Sequence, residues 1–174
     1  MKTLTTRDAL KFFQAYILEL VELGGENLPK SISIGLGGKL AKIYKEKGIH
    51  NIQPALRRGY EVLNGSPEIT EMNTNEFEII INYHENFCPI GGEPNPSKGE
   101  LIRKLICIPY TIGFLNEMDP KYSYEIDIKE CILTSGGNMC YYALHRKRKM
   151  GEKKNNLRSD ENDWDNEERE WEIH

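Results

Sequence analysis

The stretch IGLGGKLAKIYKEKG, residues 34–48, places three glycines inside a pattern that otherwise predicts a helix. Apolar residues recur on one face of that helix at Ile32, Leu36, Leu40 and Ile43. Glycine in a helix interior costs about 1 kcal/mol relative to alanine. The spacing lacks the third glycine of a dinucleotide-binding fingerprint, and no strand leads into it. We therefore expect another helix, or a ligand, to lie against the bare backbone of this segment.

A further helix is predicted on each side of this segment. The first one begins at a capping box formed by Thr5 and Asp8 and ends at Gly24. The third one carries an apolar face over residues 52–63 and ends before Gly65. Three helices therefore precede any strong strand signal.

Alternation of apolar and polar residues predicts the strands that follow. Residues 69–72 and 77–83 should form a hairpin. Residues 122–128 alternate as cleanly, and a turn around Gly136 should lead into a partner strand over residues 139–145. The sequence thus predicts an α+β fold in which N-terminal helices pack on an antiparallel sheet.

An irregular loop and one more helix should connect the two pairs of strands. The loop, CPIGGEPNPSKG, begins at Cys88 and excludes regular structure by its prolines and glycines. Ser97 and Glu100 resemble a capping box for the helix, whose apolar face extends to Asp119. Pro109 should break or kink that helix.

Composition predicts one folded domain with a polar tail. A chain of 174 residues that is 39% hydrophobic is enough for a single core. Residues 159–174 contribute −7 to a net charge of −4, and a basic cluster at residues 146–154 precedes them. This pattern is typical of solvated chain, so we expect residues 1–148 to fold and residues 149–174 to be a disordered tail. Nucleic-acid binding is not expected, because the acidic residues would compete for the basic ones.

The sequence also bears on the cellular compartment. No apolar run approaches the roughly 20 residues that cross a bilayer, and no secretion signal is visible, so we expect a cytoplasmic protein without a membrane span. In that setting its four cysteines should be reduced thiols or metal ligands rather than disulfides.

Those cysteines, Cys88, Cys107, Cys131 and Cys140, are the candidate metal ligands. Zinc binds four soft or borderline ligands in a tetrahedron, and iron is the alternative metal. No CxxC pair is present, so buried free cysteines are an equally open interpretation. Catalysis by a thiol would need a neighbouring base, and no Cys-His pair is apparent. Candidate substitutes for one of the thiols are His84, Asp127 and Glu130.

A pocket between the sheet and the preceding helices would suit a small hydrophobic ligand. It would be mainly apolar, with a few phenol hydroxyls. The candidate ligand-binding residues are Gly37, Tyr110, Phe114, Tyr124 and Tyr142.

Over residues 30–146 the chain resembles the 4-vinyl-reductase, or hydrocarbon-binding, domain family. The resemblance lies in IGLGGKLAKIYKEKG, a strand that ends in FCPI, the segment CIPYTIGFL, and the ending ECILTSGGNMCYYAL. It implies a fold like that of the TRAPP trafficking subunits, a role as a small-molecule sensor, and a zinc ion at the C-terminal cysteines. Cys131 and Cys140 match those two cysteines, Cys107 matches a cysteine of some members, and Cys88 would be the fourth ligand.

A second resemblance is to the L-2-amino-thiazoline-4-carboxylate hydrolase family. It lies in the CP loop, the cysteine that opens the helix, Asp119-Pro120 and the ending TSGGNMC. It implies a hydrolase that acts on a C–N bond of a small heterocycle.

These observations favour a ligand sensor that binds a small hydrophobic molecule, with a structural zinc ion clamping the C-terminal hairpin to the helix. Ligand binding would then alter a partner surface or the surface of a homodimer. The alternatives are the hydrolase and a TRAPP-like adaptor whose interior is filled by its own side chains.

Overall fold

The computed structural model describes residues 6–149. Thr5 of the predicted capping box lies outside these residues, and so does the disordered tail predicted at residues 149–174, apart from Lys149. The helices are α1 (Thr6–Gly24), α2 (Asn27–Glu46), α3 (Ile52–Glu61), α4 (Pro96–Ile102), α5 (Ile108–Met118) and α6 (Ile132–Ser135), with a π-helical turn at Arg103–Cys107 between α4 and α5. The strands are β1 (Ser66–Asn73), β2 (Glu76–Asn82), β3 (Tyr122–Glu130) and β4 (Met139–Arg148). No helix in this part of the chain is long and apolar enough to cross a membrane.

The strands form one antiparallel sheet in the order β1-β2-β4-β3. Strand β4 therefore inserts between β2 and β3, with Ile81 opposite Cys140 and Ile79 opposite Tyr142. Phe77, Ile79 and Ile81 are buried while the residues between them are only partly buried, as the alternation predicts. The α+β fold with helices on an antiparallel sheet is confirmed.

The inner face of the sheet is covered by α2, α3 and α5. Tyr44 of α2 meets Phe114 of α5 edge to face, with ring centroids 5.9 Å apart. Leu56 of α3 packs in the same cluster with Ile79 and Leu144 of the sheet. A second cluster, under α1, α4 and α6, includes Ile17 and shares its border with the first.

The glycines of α2 are explained by α5, which crosses that helix at backbone contact. A Cβ atom on Gly37 would lie 2.1 Å from the Tyr110 carbonyl oxygen, and one on Gly113 would lie 2.2 Å from the Ile34 carbonyl oxygen. No side chain fits at either position. The close approach expected from the sequence is confirmed, and the neighbour is a helix rather than a ligand.

Two local predictions are wrong. Asn95, not Ser97, caps α4: its side-chain oxygen accepts a hydrogen bond from the Lys98 amide at 3.1 Å, and Pro96 takes the first helical position. The connection from β3 to β4 is not a simple turn, because the short helix α6 lies in it and ends at Gly136 with φ +71°. Cys131 consequently lies at the start of α6 and not in a strand.

Replacing Gly37 with alanine should lower the free energy of unfolding by about 3 kcal/mol, because the added methyl group forces α2 and α5 apart. Gly35 is the matched control. It lies in the same helix, and apart from the adjoining backbone of that helix no described atom stands within 4 Å of the place that an added methyl group would take, so Gly35→Ala should stabilise the protein by up to about 1 kcal/mol. Urea unfolding followed by circular dichroism measures both. Equal effects of the two substitutions would contradict the backbone contact.

Candidate functional site

A cavity of about 330 Å³ lies between the helices and the inner face of the sheet. Its wall comes from α2, α3, the π turn, α5, the loop after β2, and strands β2, β3 and β4. Most of the wall is apolar, and its only charged side chains among the described residues are Arg103 and Glu130. Representative apolar wall residues are Leu40, Leu56, Ile81, Ile90, Ile108 and Phe114.

All four cysteines line this one cavity, although they are distant in sequence. Cys88 lies in the loop after β2, Cys107 ends the π turn, Cys131 precedes α6, and Cys140 is on β4. All four are free thiols. The fold therefore gathers every thiol of the chain into the wall of a single apolar space.

The loop at Cys88 is held by a network of short-range contacts. Cys88 and Gly92 exchange two backbone hydrogen bonds of 2.9 and 2.8 Å, and the Gly91 amide donates to the Cys88 sulfur at 3.2 Å. The buried side-chain amide of Gln14, in α1, donates to the carbonyls of Cys88 and Pro89 at 3.3 Å each. The irregular loop predicted from the prolines and glycines is thus a fixed part of the wall.

Pro109 explains the position of Cys107. A proline cannot donate the hydrogen bond that an α-helix needs four residues back, and its ring crowds that carbonyl. The chain responds with a π turn, in which the Ile108 amide donates to the Arg103 carbonyl, five residues earlier. The predicted kink is confirmed in this form. Arg103, Cys107 and Thr111 all line the cavity as a result.

Cys131 and Cys140 are the two thiols in direct contact. The Cys140 thiol donates a hydrogen bond to Cys131, and this bond lowers the pKa of Cys131. Burial acts in the opposite direction and raises that pKa. The backbone amides of Leu133 and Thr134 and the positive charge of Arg103 also lower it. The same hydrogen bond raises the pKa of Cys140, with burial adding to the effect. Cys131 is therefore the thiol that ionises first.

The other two thiols stay protonated. Burial raises the pKa of Cys88, and it raises the pKa of Cys107 well above its ordinary value. No histidine lines the cavity in the described part of the chain. The group beside Cys131 is therefore the Cys140 thiol and not an imidazole that could act as a base.

The candidate metal ligands share a cavity but do not form a ligand set. Within residues 6–149, no three histidine, cysteine, aspartate or glutamate side chains stand together as a group that could hold a metal ion. Of the substitute ligands, Glu130 lines the cavity, His84 lies outside its wall, and Asp127 lies outside it and is paired with Lys129. A zinc or iron ion stays a prediction.

The candidate ligand-binding residues separate into two groups. Tyr110, Phe114 and Tyr142 line the cavity. Gly37 is covered by the backbone of α5, and Tyr124 lies outside the wall with its hydroxyl donating to the Asp119 carbonyl at 3.1 Å.

Sequence reasoning missed four hydroxyl-bearing wall residues, Tyr44, Tyr60, Tyr83 and Thr111. The Tyr60 and Tyr142 hydroxyl oxygens are 2.7 Å apart, and burial raises the pKa of Tyr60 and of Tyr83. The available signal was the position of Tyr60 on the apolar face of α3 and of Tyr83 on the inward alternation of β2. Both positions look like ordinary core from the sequence.

No protein family and no curated protein matches the chain. Solved structures do resemble it. A trafficking protein particle complex subunit 3 from Naegleria fowleri, covalently bound to palmitic acid, aligns with a TM-score of 0.59 at 12% identity over 84% of this chain and 98% of that one. The phenol-responsive sensory domain of the transcription activator PoxR, with phenol, aligns with a TM-score of 0.48 at 17% identity over 83% of this chain and 76% of that one.

The first of these likenesses confirms the predicted TRAPP-like fold. Membership of the 4-vinyl-reductase family and of the hydrolase family both stay predictions.

Cys131 should react with iodoacetamide before the other three thiols at neutral pH, because its pKa alone is lowered. Labelling across a pH series, read by peptide mass spectrometry, measures each rate. Cys140→Ala removes the donor and should shift the Cys131 profile to higher pH, whereas Cys140→Ser keeps a donor and should shift it less. Four superimposable profiles would contradict the paired thiols.

The predicted zinc ion is tested by elemental mass spectrometry on protein purified without added metal. About one zinc per chain, lost in a Cys131→Ser/Cys140→Ser variant, would confirm the prediction, because a zinc site of this kind needs these thiolates. Metal-free protein with four titratable thiols would show that prediction to be wrong.

Proposed function

We propose that this domain binds a small, mostly apolar molecule in the cavity between its helices and its sheet. The observation that carries the proposal is the cavity itself, at about 330 Å³ with only Arg103 and Glu130 as charged wall residues in the described part of the chain. Sites for small molecules span about 300–1,000 Å³ and combine apolar walls with a few polar groups. The cavity has both properties.

The energetics support an occupant. An apolar molecule in this cavity would remove apolar wall surface from water and would make dispersion contacts with it, and both effects favour binding. An adaptor whose interior is filled by its own side chains would leave no such space, so the cavity favours the ligand-binding hypothesis over the adaptor.

The fold supports the same proposal. The trafficking subunit of similar fold is covalently bound to palmitic acid, a molecule with a long apolar chain. For the present chain we propose non-covalent binding, which needs only the cavity and its wall.

We further propose that the domain acts as a sensor. The wall is shared by the Cys88 loop, the π turn, the start of α6 and three strands, so an occupant contacts elements that are otherwise separate. A ligand that favours one arrangement of these elements would shift the population toward it. That shift would change the surface that contacts a partner protein or a second copy of this chain in a homodimer.

Filling the cavity from its wall should abolish binding. Cys107→Phe places a ring where Cys107 now borders the cavity, and Cys107→Ser keeps the original size as the matched control. We expect N-phenylnaphthylamine, an uncharged dye that fluoresces in apolar surroundings, to bind wild type and Cys107→Ser but at least about tenfold more weakly to Cys107→Phe.

Thermal unfolding of the same variants separates a filled cavity from a damaged core. A ring that enters empty space should leave the melting temperature of Cys107→Phe near or above that of wild type, whereas overpacking would lower it. Equal dye binding by all three proteins, or none by wild type, would contradict the proposed function.

A further inference from the structure

A row of hydroxyl groups crosses the cavity from the sheet to α5. Tyr142 projects from β4, Tyr60 from α3 and Thr111 from α5, and all three line the wall. The Tyr142 and Tyr60 oxygens are 2.7 Å apart, and the Thr111 hydroxyl lies beside Tyr60. These groups are the polar centre of an otherwise apolar space.

The hydrogen-bond network assigns a direction to this row. Thr111 donates its only hydroxyl proton to the Cys107 carbonyl at 2.9 Å, so toward Tyr60 it can only accept. Burial raises the pKa of both tyrosines. The hydrogen bond between them acts against burial at Tyr60 and adds to the rise at Tyr142, as it does when Tyr142 donates to Tyr60. In this order the Tyr142 oxygen receives no hydrogen bond from the residues that the structure describes and is left as an acceptor.

Tyr83 supplies the complementary group. Its hydroxyl makes no hydrogen bond to the side chains and backbone that the structure describes, and it lines the same cavity close enough to Tyr60 and Tyr142 for electrostatic interaction with both. Its proton is available to an acceptor in the cavity. Tyr110, also in the wall, interacts with Tyr44 instead of this group.

We propose that the ligand carries one uncharged hydroxyl group, which donates to Tyr142 and accepts from Tyr83, on an otherwise apolar body. This inference rests on the proposed function and specifies the ligand class for the same cavity. An alkane leaves both protein groups without a partner. A carboxylate offers no proton to Tyr142 and loses its hydration on entry, with Arg103 the one cationic residue in the described wall to compensate.

The experiment displaces N-phenylnaphthylamine with octanol, octane or octanoate from wild type, Tyr142→Phe, Tyr83→Phe and Tyr124→Phe. Octane corrects each variant for changes in cavity shape, because it makes no hydrogen bond. Relative to octane, octanol should bind Tyr142→Phe and Tyr83→Phe about three- to tenfold more weakly than wild type, which is the loss of one hydrogen bond. Tyr124→Phe should match wild type, because Tyr124 lies outside the cavity wall.

Three results would overturn the inference while leaving the proposed function intact. One is that the affinities for octane and for octanol change by the same factor in every variant. A second is an effect of Tyr124→Phe as large as that of Tyr142→Phe. The third is tightest binding by octanoate that is lost in Arg103→Gln, which would make the ligand an acid. Failure of the dye to bind wild type would instead overturn the proposed function.

Discussion

The backbone contact between α2 and α5 is the constraint on which the rest of the structure depends. At Gly37 and Gly113 the two helices touch main chain to main chain, so their separation cannot relax. The pair is then anchored to the sheet by the large side chains on either side, above all Tyr44 and Phe114. Because the helices cannot close further on each other or on the sheet, the space between them persists as a cavity.

A second constraint shapes the end of that cavity where the thiols gather. Pro109 forces a π turn before α5, and the turn directs Arg103 and Cys107 toward the interior. On the opposite side, Gln14 reaches from α1 to fix the Cys88 loop through two carbonyls. Both the π turn and the hydrogen bonds of Gln14 hold irregular segments of the chain in place. A regular helix or strand at these positions would have filled the space.

The chemistry of the wall is that of neutral, polarisable groups. Four thiols and a row of hydroxyls satisfy one another or face the cavity, and no fully buried side-chain nitrogen or oxygen in the described residues is without a hydrogen-bond partner. Such a wall can pack against an apolar molecule, and its hydrogen-bonding groups can also orient one polar group of that molecule. Among the four thiols only Cys131 has a lowered pKa, because the Cys140 thiol donates a hydrogen bond to it. A site of this kind fits recognition of a small molecule better than it fits strong acid–base work.

The sequence by itself determined most of the secondary structure and one tertiary feature, but it indicated neither α6 nor the π turn before α5. Alternation identified β2 and β3, apolar stripes identified the first three helices, and the glycines around Gly37 predicted a close neighbour, because each of these signals depends on residues adjacent along the chain. The partner of Gly37, the contact of Cys131 with Cys140, and the roles of Tyr60 and Tyr83 were decided only by the tertiary structure. A cavity is the space that distant elements leave unfilled when they pack, so no local pattern encodes which side chains will face it.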